Sequence, residues 1–84
     1  MNIQAEVSVY PLGTDKIGEL VNNFIDELKN SGLVFSSGPM STILSGDADS
    51  VFDSLREAFK NIALDNQTML IMKISNACPV GKTE

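Results

Sequence analysis

Apolar and polar residues alternate from the third position of the chain onward. Ile3, Ala5, Val7 and Val9 fall on one side of an extended backbone, and Gln4, Glu6, Ser8 and Tyr10 fall on the other. A repeat of two is the period of a strand with unlike faces, so residues 3–10 are expected to form one. Pro11 and Gly13 end the pattern. Ile17, Leu20, Val21, Phe24, Ile25 and Leu28 then share one helical face, with Lys16, Glu19, Asn22, Asn23, Asp26, Glu27 and Lys29 opposite. A helix is expected over residues 15–31. Thr14 is its expected N-cap, because a threonine hydroxyl accepts well from a free first-turn N–H. Gly32 suits the left-handed position that ends a helix. Gly18, inside the helix, reads as tolerated slack.

A short strand over 33–37, a Gly38-Pro39 turn and a strand over 40–45 together read as a hairpin closed by Gly46. Asp47 is the expected N-cap of a second helix over 48–63, with Asp49 in its first turn, where the helix dipole favours negative charge. Its apolar stripe is Ala48, Val51, Phe52, Leu55, Ala58, Phe59 and Ile62. Asp53, Arg56, Glu57 and Lys60 make its solvated face. Asp65-Asn66-Gln67 turns the chain into a last strand over 68–75. Residues 1–76 are expected to form one domain, and 77–84 a C-terminal tail.

The element order is β-α-β-β-α-β. Right-handed crossovers then give a four-stranded antiparallel sheet in the order 4-1-3-2, with both helices on one face. This is the α+β sandwich of ferredoxin-like folds, and its first strand is central. The face without helices carries Glu6, Ser8 and Tyr10 from the first strand, and Met69, Ile71 and Lys73 from the last. Lys73 is placed to pair with Glu6. The remaining apolar stripe suggests a covered surface, and a second copy of the chain is the simplest cover. A homodimer or homotetramer is therefore expected.

Bulk properties narrow the function. A chain of 84 residues buries roughly two-thirds of its unfolded surface, so its core is adequate but thin. The net charge is −5, from 6 basic and 11 acidic residues. Phosphate neutralisation needs Lys and Arg, so nucleic acid is not an expected partner, nor is an anionic membrane surface. No apolar run approaches the roughly 20 residues of a membrane span. Glu6 falls where the apolar core of a secretory leader would lie, so a cytoplasmic location is expected. The single cysteine, Cys78, and the absence of histidine leave no internal disulfide, no Cys-rich metal site and no common general base. Cys78 reads as an incidental thiol.

A fold of this type hosts many functions, so function has to come from sites. The turn after the first strand lacks the paired cysteines of a metallochaperone and the arginine of an acylphosphatase. The central strands lack the aromatics of an RNA-recognition domain. Gly13 stands alone and makes no phosphate loop. No carboxylate pair stands out for acid–base work. No catalytic residue, metal site or cofactor is expected, and the chain reads as a non-enzyme.

Residues 5–14 (Ala-Glu-Val-Ser-Val-Tyr-Pro-Leu-Gly-Thr) and the segment Pro39-Met40-Ser41-Thr42 are distinctive in combination. The latter is followed by Gly46-Asp47 and a helix bearing Val51-Phe52, and Ser31-Gly32-Leu33 lies between the two. Together they resemble the small thiamine-binding domain family, the YkoF-like group, and the similarity covers residues 3–75. The resemblance implies a ferredoxin-like fold, homo-oligomers, and binding of thiamine or its pyrimidine half.

An aminopyrimidine presents an amino donor and ring-nitrogen acceptors in one plane, with two flat faces. Its binder needs a carboxylate or hydroxyl at the edge and an apolar or aromatic wall at the face. The two family-like segments offer Glu6, Ser8 and Tyr10 on the first strand, and Met40, Ser41 and Thr42 on its expected neighbour. Phe35 is placed to close the site from the second strand. These are the candidate ligand-binding residues. Two other readings stand beside this one. The first is a regulatory or oligomerisation domain sensing another small metabolite. The second is an enzyme with a pocket at an oligomer interface.

Overall fold

The computed structural model describes residues 1–77. The expected tail beyond Ala77, with Cys78, lies outside the described residues. The elements are β1 (Asn2–Leu12), α1 (Ile17–Lys29), β2 (Val34–Ser37), β3 (Thr42–Asp47), α2 (Ala48–Ile62) and β4 (Gln67–Ser75). All strand pairs are antiparallel, and the order across the sheet is β2-β3-β1-β4. This is the expected ferredoxin-like α+β arrangement with β1 inside the sheet.

The alternation along β1 sorts its side chains as expected. Ile3, Ala5 and Val7 are buried beneath the helices, with Leu44 of β3, Phe24 and Leu28 of α1, and Val51, Leu55, Ala58 and Ile62 of α2. The helix stripes recur every three to four residues, so each helix can bury one face. The helices sit over β1 and β3. The edge strand β4 is less covered, and Met72 and Ile74 remain 42% and 38% exposed on the helix side. No helix among the described residues is long and apolar enough to cross a membrane.

Three local expectations shift. First, α1 begins at Ile17, and its N-cap position, Lys16, makes no side-chain capping bond. Thr14 lies too far upstream to cap it. Its hydroxyl instead accepts from the Lys16 N–H at 3.1 Å and shapes the lead-in turn. Second, α1 ends at Lys29, two residues earlier than expected for 15–31. The Ser31 hydroxyl donates to the Leu28 carbonyl at 2.6 Å, and Gly32 then takes a positive φ of 85°, which only glycine adopts cheaply. Third, β3 starts at Thr42, so Met40 and Ser41 belong to the turn. The Gly38 N–H donates to the Ser41 carbonyl at 2.9 Å, and Pro39 has no N–H to extend the ladder. Asp47 does cap α2, accepting from the Ser50 N–H at 3.4 Å.

Candidate functional site

The central strand is much longer than the neighbour it shares with the hairpin. β3 pairs with β1 only from Asn2 to Val7, whose partner is Thr42. β4 follows β1 from Gln4 all the way to Leu12. From Ser8 onward, β1 therefore has a strand on one side and none on the other. The β2–β3 turn bends over this gap, and α1 closes it from behind. The result is a cleft of about 220 Å³.

Its walls come from three elements. β1 contributes Val7 to Tyr10, the turn contributes Gly38 to Thr42, and α1 contributes Val21, Phe24 and Ile25. Directly paired residues of an antiparallel sheet point to the same face, so Thr42 faces the helices with Val7. Ser8 and Tyr10 point to the other face, beside Ile71 and Met69 of β4. A complete sheet would keep these two sets apart. The missing strand segment lets one cleft draw on both.

Hydrogen bonds tie the turn to β1. The Ser8 hydroxyl donates to the Met40 carbonyl at 3.3 Å. The Ser41 hydroxyl donates to Glu6 Oε2 at 2.8 Å. The other carboxylate oxygen, Oε1, lies 3.3 Å from Lys73 Nζ on β4, the pairing expected from the sequence. The Ser41 hydrogen bond first, and then the hydrogen bond and charge of Lys73, hold the Glu6 carboxyl below its ordinary value. Thr42 is buried, and its Oγ1 lies 3.4 Å from Ser37 Oγ.

Of the candidate residues, Ser8, Tyr10, Met40, Ser41 and Thr42 line the cleft. Glu6 stands one hydrogen bond behind the wall, at the Ser41 hydroxyl. Phe35 lies apart from it. It pairs with Leu44 and packs on the core beneath the helices. Val21, Phe24 and Ile25 are wall residues that the sequence placed only in the apolar stripe of a helix. The stripe marks a face turned inward, and it cannot separate core from cleft wall. Among the described residues no group of three or more Cys, Asp or Glu side chains is placed to hold a metal ion.

Residues 5–78 match the family model described as thiamine-binding protein. Among solved structures, a hypothetical protein of Methanocaldococcus jannascii is 28% identical, with a TM-score of 0.81 over 89% of this chain and 79% of its own. A Streptococcus pneumoniae protein is 21% identical, with a TM-score of 0.83 over 89% of this chain and 86% of its own. A Thermotoga maritima protein, described as a candidate for thiamine biosynthesis or salvage, is 18% identical. Its TM-score is 0.80, covering 88% of this chain and 82% of its own. At these last two identities the likeness speaks for the fold alone. No curated protein matches the chain.

Proposed function

This chain belongs to the thiamine-binding protein family, and on that premise we propose that its cleft binds thiamine, or the hydroxymethylpyrimidine half of it, without catalysing a reaction. The observation that carries the reading is the meeting of hydroxyls and an apolar wall in one slot. Ser8, Ser41 and Thr42 bring oxygens to the same cleft that Val21, Phe24 and Ile25 back. A planar ring with a polar edge fits that combination.

Size decides which part of the vitamin enters. About 220 Å³ is below the roughly 300–1,000 Å³ of pockets that enclose drug-sized ligands. The pyrimidine ring therefore occupies the slot, and the thiazolium remains at the mouth. There its permanent charge meets the face of Tyr10, which is 46% exposed. The Glu6 carboxylate adds a favourable field from behind Ser41.

The same reading includes self-association through the open sheet face. Tyr10 pairs with Met69, and Ser8 pairs with Ile71. Met69 and Ile71 are each about half exposed. A second copy covering this stripe would also narrow the cleft mouth.

Calorimetry with thiamine and with the pyrimidine alcohol tests the binding reading. The wild type should release heat with at least one of them. Thr42→Val should weaken binding by about 1–3 kcal/mol, the cost of a lost hydrogen bond to a buried group, and Glu6→Gln should weaken it by less, because Glu6 acts through its charge from behind Ser41. No heat with either compound, or unchanged affinity in both variants, refutes the assignment.

A further inference from the structure

The two edges of the sheet are built differently. Among the described residues no strand lies beyond β2 on one side or beyond β4 on the other. β2 has four residues, ends in two serines and runs into Gly38 and Pro39. A short, polar edge that stops at a proline offers little to another strand. β4 has nine residues, with no proline and no glycine among them. Its register against β1 advances one for one from Leu12↔Gln67 to Gln4↔Ser75, so no bulge twists it away. Its one charge, Lys73, is paired across the sheet with Glu6. The outward N–H and C=O groups of such a strand are a template for a further strand. Its side chains are open on both faces, Met69 and Ile71 on one, Met72 and Ile74 on the other. On the helix side Leu70 and Met72 meet Phe52, Leu55 and Phe59 of α2 in a groove of about 240 Å³, with Arg56 the one charged residue in its lining.

This edge is complementary to itself. A twofold axis perpendicular to the sheet lays two copies of β4 antiparallel. The register that pairs all nine residues has its axis at Ile71. Met69 then faces Lys73 of the second copy, Leu70 faces Met72, and Thr68 faces Ile74. The two Lys73 positions fall about 13 Å apart along the strands, and each ammonium keeps the Glu6 of its own chain. No like charges therefore meet across the seam. The same axis keeps the helices of both copies on one side, so the two apolar grooves adjoin. An unrelated extended peptide would satisfy the ladder alone, whereas a second copy also brings a matching groove. The seam joins about a dozen residues a side, roughly half of a standard interface. Its ladder supplies about eight backbone hydrogen bonds, close to the roughly ten of a full-sized one. That is the size of a reversible dimer.

We propose that the free edge of β4 is a self-pairing surface, which joins two copies of the chain through antiparallel β4–β4 pairing into one continuous sheet. This contact differs from association across the open face, which stacks side chains and forms no ladder. The two are compatible, because edge pairing uses the backbone of β4 and its helix side. The cleft lies across β1 from β4, so each copy keeps its own cleft open, away from the seam.

The experiment is amide hydrogen exchange on the full chain, read by NMR at concentrations where light scattering reports association and again after dilution to the monomer. Along β4 the N–H groups of alternate residues bond to β1, and the others point outward. In the associated state both alternate sets between Thr68 and Ile74 should be protected. On dilution the outward set should exchange at least about tenfold faster, and the inward set should change less. Met72→Lys, on the helix side of β4, should raise the dissociation constant by about tenfold or more, because it sets an unpaired charge in the joined grooves. An outward set that exchanges freely in the associated protein overturns the proposal and leaves association through the open face standing. Protection of both sets that survives in the monomer also overturns it, and assigns the edge to another segment of the same chain. So does an unchanged dissociation constant in Met72→Lys, or a chain that stays monomeric at high micromolar concentration.

Discussion

The Ser41 hydroxyl donates to Glu6 Oε2 at 2.8 Å, and this bond joins the hairpin turn to β1 beside the cleft. It links two residues 35 positions apart in sequence, at the place where the β1–β3 ladder is about to end. It also fixes which way the Ser41 oxygen faces.

That bond should be readable in the titration of Glu6. The carboxyl is held below its ordinary value by Ser41 first and Lys73 second. A carboxyl depressed in the folded state contributes stability that is complete above its unfolded pKa. The contribution is lost as pH falls through the folded value. Carboxyl-detected NMR should find Glu6 titrating below the ordinary glutamate value. Ser41→Ala and Lys73→Met should each move it upward. An unmoved Glu6 in Ser41→Ala would show that the bond is not formed in solution.

The two helix starts should respond differently to loss of their polar leader. Asp47→Ala removes the side-chain acceptor of the Ser50 N–H and should cost about 1 kcal/mol in urea unfolding. Thr14→Ala removes only a turn contact ahead of α1 and should cost about 0.5 kcal/mol or less. Equal costs would mean that Thr14 caps α1 after all.

Gly18 sits in the first turns of α1, and a Cβ built there meets nothing within 4 Å. Alanine should therefore gain the helix propensity that glycine gives up. Gly18→Ala is expected to raise stability by about 0.5–1 kcal/mol and to raise the melting temperature. A fall in melting temperature would reveal a close approach at this position in the assembled protein.

Self-association is expected to depend on Ile71. Placing a lysine there puts an unpaired charge in the stripe formed by Tyr10, Met69 and Ile71. Light scattering should show the wild type larger than one chain and Ile71→Lys shifted toward it. Ile71 is 50% exposed in the single chain, so fold stability should change little. A wild type that stays monomeric at high micromolar concentration sinks this part of the proposal.

Much of the architecture was legible because its causes are local. The period-two stretch around Val7 and the period-three-to-four stripe around Phe24 each declare an element and its buried side. The Glu6–Lys73 pair was also legible, since strand order and alternation bring these two positions opposite each other. Thr14 misled because a threonine before an apolar stripe is a cap signal, while the lead-in turn used its hydroxyl two residues too early. Phe35 misled because an aromatic on a short strand serves core and cleft equally well in sequence. The register with Leu44 turned it to the core.

The sequence by itself determined the order of elements, the face each one buries, and the acidic, histidine-free composition that narrows the chemistry. Those follow from the spacing and type of neighbouring residues. Only the tertiary structure decided that there is a cleft, and where. It exists because β3 stops at the partner of Val7 while β4 continues to Leu12. The two lengths are set by separate turns far apart in the chain, and no local repeat records their difference.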